Sequence, residues 1–507
     1  MEFTWLSLVP PIIAIALALM TKEVISSLLI GILSGVLIYS HGNIIVAVES
    51  LFTIMGDALG GNAFIVIFLC LLGILVAVVT KAGGSAAYGE WASRKIKTRT
   101  GAMLSTSALG ALIFVDDYFN CLTVGSVMRP VTDKNRISRE KLAYLIDATA
   151  APICIIAPIS SWAVSVAATI EESGISNGFT AFVGTIPFNY YALLTLIMLV
   201  FMAITKLDFG PMARYEKKAR EVGITVEDTS SGTLTTDKVN ARGRVYDLLI
   251  PILSLIVITI LCMLYTGGFF AGEGKSLIAA FGDTDANTSL VWGGFTAIII
   301  AFCLYVPRKL VSFKSFMEGV NEGVRSMVPA IIILLLAWTI SGVCGEDYLG
   351  TGVFVGDLVS RSSIPMQLLP AIIFLVACGL AFATGTAWGT FGILVPIVVS
   401  IAAQIPAFTP TLLTILVSAT LAGSVFGDHC SPISDTTILS SAGADCKHIN
   451  HVATQIPYAG TVAVCCFISY ILAGFIQNTW LCLVIALAIL AAALFVMYNV
   501  GKKKART

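Results

Sequence analysis

The sequence carries little charge for its length. Only 12% of its 507 residues are Asp, Glu, Lys or Arg, whereas 57% are hydrophobic. Soluble domains carry about 25% charged residues, so this chain has too few charges to cover a water-facing surface. Apolar runs close to the roughly 20 residues that a membrane helix needs recur from end to end. The composition predicts a polytopic integral membrane protein and excludes the soluble enzymes.

A basic excess is also absent. Lys plus Arg and Asp plus Glu number 30 each, so the chain has no surplus charge for nucleic acid. Lys and Arg are missing altogether from two long stretches, 142–205 and 362–446, although both stretches contain aspartates. An anion bound there would have only helix N-termini to hold it. A site built in these stretches is therefore predicted to select cations.

Motifs for ATP hydrolysis and for catalysis are missing as well. The run Gly272–Ser276 resembles the end of a phosphate-binding loop but lacks the first glycine at the required spacing. None of the 12 cysteines forms a CxxC pair, and most lie in apolar spans, so they are predicted to be packing residues. A zinc site matches no standard spacing, and His448 and His451 are predicted to lie in a hydrated cytoplasmic loop. We therefore predict a transporter driven by an ion gradient, not an enzyme.

The few basic clusters indicate the topology. Short loops rich in Lys and Arg stay on the cytoplasmic side, which places 94–99, 129–141 and the C-terminal 502–504 there. The longest polar stretch, 206–247, is predicted to be a cytoplasmic linker between two halves. The protein is accordingly predicted to lie in the inner or plasma membrane with a cytoplasmic C-terminus.

Two apolar segments are predicted to be re-entrant hairpins. The segment at about 100–130 begins and ends at cytoplasmic clusters, yet each leg would be only about 21 Å long, too short to span the bilayer. Its tip is Val115–Asn120. A second hairpin, at about 365–403, enters from the opposite side with its tip at Ala383–Gly389. The predicted fold is all-α, with an inverted-topology repeat of about 11 transmembrane helices plus two re-entrant hairpins.

The repeat rests on short internal matches. Four of them occur in the same order and at nearly the same offset: Gly56-x-x-x-Gly60 with Gly319-x-x-x-Gly323, Gly89–Arg94 with Gly356–Arg361, Pro130 with Pro396, and Ala157–Ser161 with Ser431–Asp435. Each half holds an odd number of spans, so the second copy is inverted. The predicted organisation is a first repeat at 1–205, the charged linker at 206–247, a second repeat at 248–476, and an extra C-terminal helix with a basic tail at 477–507.

Inverted repeats place the binding site on broken helices near the membrane midplane. Helix-breaking residues interrupt two spans in matching places, at 147–161 and 427–437. These segments supply carboxylates, hydroxyls and freed carbonyls that suit a small hard cation. Ionisable residues at membrane depth are functional by default, although an Asp can instead cap a helix. The predicted Na⁺ ligands are Asp435, Asp428, Ser434, Thr436, Asp116, Asp117 and Asn120.

A second set of residues would suit an organic substrate. A bare Na⁺ ion needs no aromatic side chains around it, yet two tryptophans lie beside the predicted cation site. The predicted substrate-binding residues are Thr384, Thr386, Trp388, Ser160, Ser161, Trp162 and Asp147. Three functions stay open: Na⁺/H⁺ exchange with both ions competing for membrane-embedded aspartates, Na⁺-coupled transport of an amino acid or carboxylate, and a cation channel.

The run Gly427–Ser441 resembles the signature of the NhaC-type sodium/proton antiporters, and the segments Phe114–Asn120 and Trp388–Thr390 are similar to that family too. The resemblance covers most of the chain. It implies membership of the wider ion-transporter superfamily, with inverted repeats, two hairpins and a homodimer. It also implies exchange of Na⁺ for H⁺, although some relatives couple these ions to malate and lactate. The linker at 206–247 has no counterpart in the family pattern.

Overall fold

The computed structural model describes residues 5–21, 23–114, 116–225, 243–271, 284–345, 365–405, 408–432 and 434–504, with isolated positions at 275, 277, 280, 347–351 and 354. These residues form helices and their connections, and no strand occurs among them. Eight helices of this part are long and apolar enough to cross a membrane. The repeat match at 356–361 and the middle of the linker, 226–242, lie outside the described residues.

Helices follow one another closely along both halves. The first half contains α1 (Val9–Thr21), α2 (Val24–Tyr39), α3 (Ile44–Gly61), α4 (Ala63–Ala82), α5 (Gly84–Lys95), α6 (Arg99–Leu112), α7 (Asp117–Lys134), α8 (Arg139–Asp147), α9 (Ala151–Cys154), α10 (Ser161–Glu172), α11 (Gly178–Thr185), α12 (Tyr190–Thr205) and α13 (Gly210–Glu221). The second contains α14 (Val245–Thr266), α15 (Ala286–Tyr305), α16 (Phe313–Cys344), α17 (Leu369–Thr384), α18 (Ala387–Ala403), α19 (Pro410–Cys430), α20 (Asp435–Ala444), α21 (His448–Ile476) and α22 (Thr479–Lys504).

Polar contacts gather one set of helix ends on a single face, which we call the linker face. Arg139 at the start of α8 donates to the carbonyl of Ala444 at the end of α20, at 2.7 Å. Lys141 pairs with Asp208, the residue that leads into α13, at 2.9 Å. The linker face therefore holds the beginning of α8, the end of α20 and the start of the linker.

A second set of helix ends meets on the opposite face, which we call the far face. Glu172 ends α10 and is hydrogen bonded to Asn62 at the start of α4. Near the end of α21, Gly474 lies directly against the carbonyl of Gln367, at the base of α17. The second hairpin therefore has its base on the far face.

Both predicted hairpins are confirmed, and they enter from opposite faces. The pair α6–α7 leaves the linker face at Arg99 and returns at Lys134, compared with the predicted 100–130. The pair α17–α18 leaves the far face at Leu369 and returns at Ala403, compared with 365–403. Their legs of 14 to 18 residues are short because each must turn back inside the fold.

The matched motifs have equivalent local structures in the two broken spans. Ser160 is the N-cap of α10 and accepts a hydrogen bond from the amide of Ala163. Ser434 is the N-cap of α20 and accepts from the amide of Thr437. These serines hold the same place in the matched sequences, so the repeat found in the sequence is a repeat of helix starts.

The two matched Gly-x-x-x-Gly motifs, in contrast, differ in how closely they approach a neighbouring helix. A Cβ atom on Gly323 of α16 would lie 2.4 Å from the carbonyl oxygen of Gly73 in α4, so these backbones touch. Gly56 and Gly60 have open space around them. Only the second copy of the motif therefore makes a close helix crossing.

The first part of the predicted linker is folded onto the helices. In α13, Glu216 pairs with Arg99 at the base of the first hairpin and accepts from the amide of Ser138 at 2.8 Å. The amide of Phe209 donates to the Tyr458 hydroxyl of α21 at 3.1 Å. Buried ion pairs therefore attach this part of the predicted cytoplasmic linker to the linker face.

Candidate functional site

The tip of the first hairpin presents buried oxygen atoms without well-formed hydrogen bonds. α6 ends at Leu112 and α7 begins at Asp117, so the aspartate pair lies at the turn as predicted. The Asp117 side chain is fully buried and faces the Trp162 indole, yet among the described residues neither carboxylate oxygen accepts a well-formed hydrogen bond. Buried polar atoms are rarely left in this state. The tip therefore has acceptors available for a ligand.

Asn120, one turn further along α7, adds a third such oxygen. Its side-chain amide donates to three carbonyls, those of Gly110 at 2.7 Å, Ile113 at 3.1 Å and Thr149 at 2.9 Å. These bonds fix the amide nitrogen on the side of the carbonyls. The opposite oxygen, Oδ1, is buried and has no partner among the described residues. Asn120 therefore closes the turn and also presents an oxygen.

Asp116 connects the tip to the first broken span. Its carboxylate accepts a hydrogen bond from the Ser161 hydroxyl at 3.3 Å. Ser160 also accepts locally as the N-cap of α10, and its hydroxyl donates to the carbonyl of Cys154 at 2.7 Å. The two adjacent aspartates thus have different surroundings.

The second broken span supplies the facing polar groups. Asp428 lies buried in the last turn of α19, where it is hydrogen bonded to Ser434. The Ser434 hydroxyl also lies 3.0 Å from that of Thr436. Asp435 is the first residue of α20 and is exposed. The serines, not these aspartates, are the N-caps, so helix capping does not account for Asp428 or Asp435.

The first hairpin and the second broken span meet side by side. The Tyr118 hydroxyl lies 3.5 Å from the Asp435 carboxylate, and the Cys121 thiol 3.7 Å from the Thr436 carbonyl. Further along, a Cβ on Gly443 would fall 2.5 Å from the Cys121 carbonyl oxygen. The residues predicted as Na⁺ ligands in the two repeats are thus brought together by contact between α7 and α20.

The tip of the second hairpin contributes aromatic side chains. Gly385 ends α17 in the left-handed conformation and Thr386 caps α18, while the Thr384 side chain lies outside the description. Trp388 is 4% exposed, and its ring centroid lies 5.2 Å from that of Trp162. Among the described residues the Trp388 indole N–H has no hydrogen-bond partner. The tryptophans predicted from both repeats therefore form one buried pair.

The histidines do not occupy a hydrated loop, and that prediction is wrong. α21 begins at His448, because this segment packs against α20 instead of ending in solvent. The His448 Nε2 atom lies 2.7 Å from the Pro432 carbonyl, and His451 is fully buried. His451 bonds to Asp147 at 3.1 Å, so Asp147 contacts α21. This pairing could not be predicted from local sequence pattern, because the partners are 304 positions apart.

Carboxylates, thiols and imidazoles do not converge in threes to hold a metal ion within the part of the chain that the structure describes. The aspartates of the site are instead distributed over the contacts between hairpin and span, where hydroxyl and amide oxygens lie among them.

Comparison with known proteins finds a matching family and several relatives. Residues 163–475 match the Na⁺/H⁺ antiporter family. An uncharacterized protein of Haemophilus influenzae is 43% identical over 485 residues, which cover 92% of this chain and 91% of that protein. The malate-2H⁺/Na⁺-lactate antiporter of Bacillus subtilis is 24% identical over 221 residues, 37% of this chain and 43% of that protein.

A solved structure has a similar fold. The YdaH transporter of Alcanivorax borkumensis, described as having an unusual topology, aligns with a TM-score of 0.52 at 13% identity. The alignment covers 84% of this chain and 88% of that one. The likeness therefore extends over nearly the whole chain and concerns the fold.

Proposed function

The chain belongs to the Na⁺/H⁺ antiporter family, and from this premise we propose that it exchanges Na⁺ for H⁺ at the contact between the first hairpin and the second broken span. The site is the carboxylate cluster, by which we mean Asp116, Asp117, Asp428 and Asp435. Asp117 and Asn120 provide oxygens from the hairpin tip. Asp428, Asp435, Ser434 and Thr436 provide them from the facing span.

One observation carries the proposal: the Asp117 carboxylate is buried without a well-formed hydrogen bond among the described residues, next to the unpartnered Asn120 oxygen. An ionised carboxylate removed from water is costly unless it is paired. On insertion scales the cost is about 2.5–3.5 kcal/mol at the membrane centre. Such a group is stable only with a cation or a proton on it.

The same argument explains competition between the two ions. Either Na⁺ or H⁺ neutralises a carboxylate in the cluster, so binding of one lowers the affinity for the other. A carrier with this property exchanges the two ions when the site opens alternately to each side. We propose that the hairpins and broken spans move together against the remaining helices, as in other inverted-repeat carriers.

Orientation follows from the positive-inside rule, which makes the linker face cytoplasmic. Lys141, Arg99 and Arg139 all lie there. The chain would then lie in the cell membrane with the far face outside. A homodimer, which the family resemblance implies, stays a prediction.

Replacing Asp435 tests the exposed end of the cluster. Asp435 is exposed and contacts Tyr118. We expect Asp435→Asn to raise the Na⁺ concentration for half-maximal exchange about tenfold, because Na⁺ affinity depends on the number of charged ligands. Na⁺-driven proton movement in reconstituted vesicles measures this. Tyr118→Phe, which removes the 3.5 Å contact and keeps the carboxylate, should have a smaller effect. Unchanged Na⁺ dependence in Asp435→Asn would exclude this residue from the site.

The tryptophan pair favours a second candidate function, Na⁺-coupled exchange of a small organic substrate. Trp162 lies between Asp117 and Trp388, so the aromatic wall adjoins the cation site. The unpartnered Trp388 N–H is a donor for a carboxylate. Thr386, Ser160 and Ser161 remain candidates for further polar contacts. A relative of this chain exchanges malate and lactate by its name, and this supports the same class of cargo.

Trp388→Phe separates the two functions. This substitution keeps an aromatic ring in the contact but removes the N–H. Na⁺/H⁺ exchange should therefore be retained within about twofold. The affinity for an organic substrate should fall about tenfold, which corresponds to the loss of one hydrogen bond to a charged group. Uptake of labelled carboxylates and amino acids by vesicles provides the measurement. Trp338→Phe, at an equally buried tryptophan in α16, is the matched control. If no candidate substrate moves in response to Na⁺, the organic function is ruled out.

A further inference from the structure

A buried Asp–His pair lies behind the carboxylate cluster. Asp147 ends α8, and its carboxylate is 3.1 Å from the Nε2 atom of His451 in the first turn of α21. Both side chains are at most 1% exposed. Neither residue belongs to the proposed Na⁺ ligands, so Na⁺ binding alone does not explain the pair.

Hydrogen bonds connect this pair to the site. The Gln455 amide, one turn beyond His451, is hydrogen bonded to Asp147 and also donates to the His429 carbonyl at 2.6 Å. The Thr437 hydroxyl donates to the same carbonyl at 3.5 Å. Thr437 lies in the first turn of α20, which begins with Asp435. One amide side chain and one carbonyl therefore separate the pair from the helix start that faces the hairpin tip.

Polar and aromatic residues also connect the pair to the linker face. Tyr144, one turn before Asp147, has its ring 5.1 Å from that of Tyr458. The Lys141 ammonium lies 5.1 Å from the Tyr458 ring and pairs with Asp208 on the linker face. The pair thus lies between the linker face and the carboxylate cluster.

Several polar atoms around the pair have no partner among the described residues. They are His451 Nδ1, Gln455 Oε1, Tyr144 OH and His429 Nε2. Buried groups of this kind are normally bridged by ordered water, and a group of them in one place has enough partners to hold it. Histidine is the side chain that ordinarily changes charge near neutral pH. These are the requirements for a group that passes protons.

Titratable and charged groups face the pair from every neighbouring element. They are Cys121 of α7, Tyr144 of α8, Tyr191 of α12, and Asp428, His429 and Cys430 of α19. His451 is the member whose ring bonds directly to a carboxylate.

We propose that Asp147 and His451 form a relay that transfers protons between the linker face and the carboxylate cluster. A proton from the linker face binds the imidazole, and Asp147 stabilises the imidazolium. Water bridging the unpartnered polar atoms then carries the proton to a cluster carboxylate as Na⁺ leaves. His451 returns to its neutral form, so the relay is unchanged after each transfer. The inference rests on the proposed function, because it assumes Na⁺/H⁺ exchange at the cluster.

Two transport modes of the same vesicles test the relay. Na⁺/H⁺ exchange needs proton transfer, whereas exchange of labelled Na⁺ for unlabelled Na⁺ does not. We expect His451→Gln, which keeps a hydrogen-bonding side chain, to slow Na⁺/H⁺ exchange about tenfold or more and to leave Na⁺/Na⁺ exchange within about twofold. Asp147→Asn should give the same pattern, and the double variant should be no slower than the slower single variant. His41→Gln, at an exposed turn before α3, is the control.

The outcomes distinguish the relay from the function on which it rests. Equal losses in both modes for His451→Gln and Asp147→Asn would show a structural role and overturn the relay. Normal Na⁺/H⁺ exchange in both variants would overturn it too. If the unaltered protein shows no Na⁺/H⁺ exchange, the proposed function itself is wrong. The selective loss of proton-coupled exchange supports the relay.

Discussion

Asp117→Asn should abolish Na⁺/H⁺ exchange and at the same time leave the protein as stable as before, or more stable. The Asp117 carboxylate is buried and lacks a well-formed hydrogen bond among the described residues. Its replacement by a neutral amide removes a charge that is costly to bury. A carboxylate needed only for structure would give the opposite result, a loss of stability.

Two measurements check this expectation. Exchange in vesicles should fall at least about a hundredfold, as for the loss of a charge-assisted contact of about 3 kcal/mol. Thermal unfolding of the purified protein in NaCl and in choline chloride should show Na⁺-dependent stabilisation only with Asp117 present, about 2.7 kcal/mol at a Na⁺ concentration of 100 Kd. Asp116→Asn is the matched variant and should be milder, because an amide oxygen can still accept from Ser161. Equal, mild effects of both variants would remove this tip from the mechanism.

The sequence was sufficient to predict where this tip lies. Basic clusters at 94–99 and 129–141 required a segment that turns back, and the Asp116–Asp117 pair had to lie near its middle. The matching starts of α10 and α20 were also predictable, because Ser160 and Ser434 occupy the same place in a repeated motif. These features depend on local pattern and on charge, both of which a sequence displays directly.

Gly443→Ala is expected to impair transport and stability together. A Cβ at this position would lie 2.5 Å from the Cys121 carbonyl oxygen, and the opposing Gly125 is equally crowded by the Gly443 backbone. A methyl group would force α20 away from α7 and separate Asp435 from Tyr118. Overpacking of this kind costs about 1–3 kcal/mol. We expect exchange to fall about tenfold or more as the site widens.

The same substitution elsewhere gives the control. Gly460 of α21 has open space where a Cβ would go. Alanine is favoured over glycine in a helix by roughly 1 kcal/mol, so Gly460→Ala should keep the melting temperature unchanged or raise it slightly. Melting temperatures and exchange rates of Gly443→Ala and Gly460→Ala test whether the close contact between α7 and α20 is required. Wild-type behaviour of Gly443→Ala would show that α7 and α20 separate without loss, contrary to the proposed site.

Other parts of the site could not have been predicted from one sequence. His448 and His451 follow Lys447 and the polar run before it, so local composition indicated water around them. His451 is buried because Asp147, far away in the chain, neutralises its polar edge. The same holds for the start of the linker, where Asp208 pairs with Lys141 and Glu216 of α13 pairs with Arg99. Burial of polar groups depends on partners that only the folded chain identifies.

The contact between α7 and α20 has a consequence for biosynthesis. Cys121 and Thr436, which meet there, are 315 positions apart. At roughly 5–20 residues per second, the ribosome needs on the order of 15–60 s between them. During that time the first hairpin, with its buried aspartates, has no second span to pack against. The nascent chain must therefore shelter this polar loop inside the translocation machinery, or leave it at the membrane surface, until the last quarter of the protein is made.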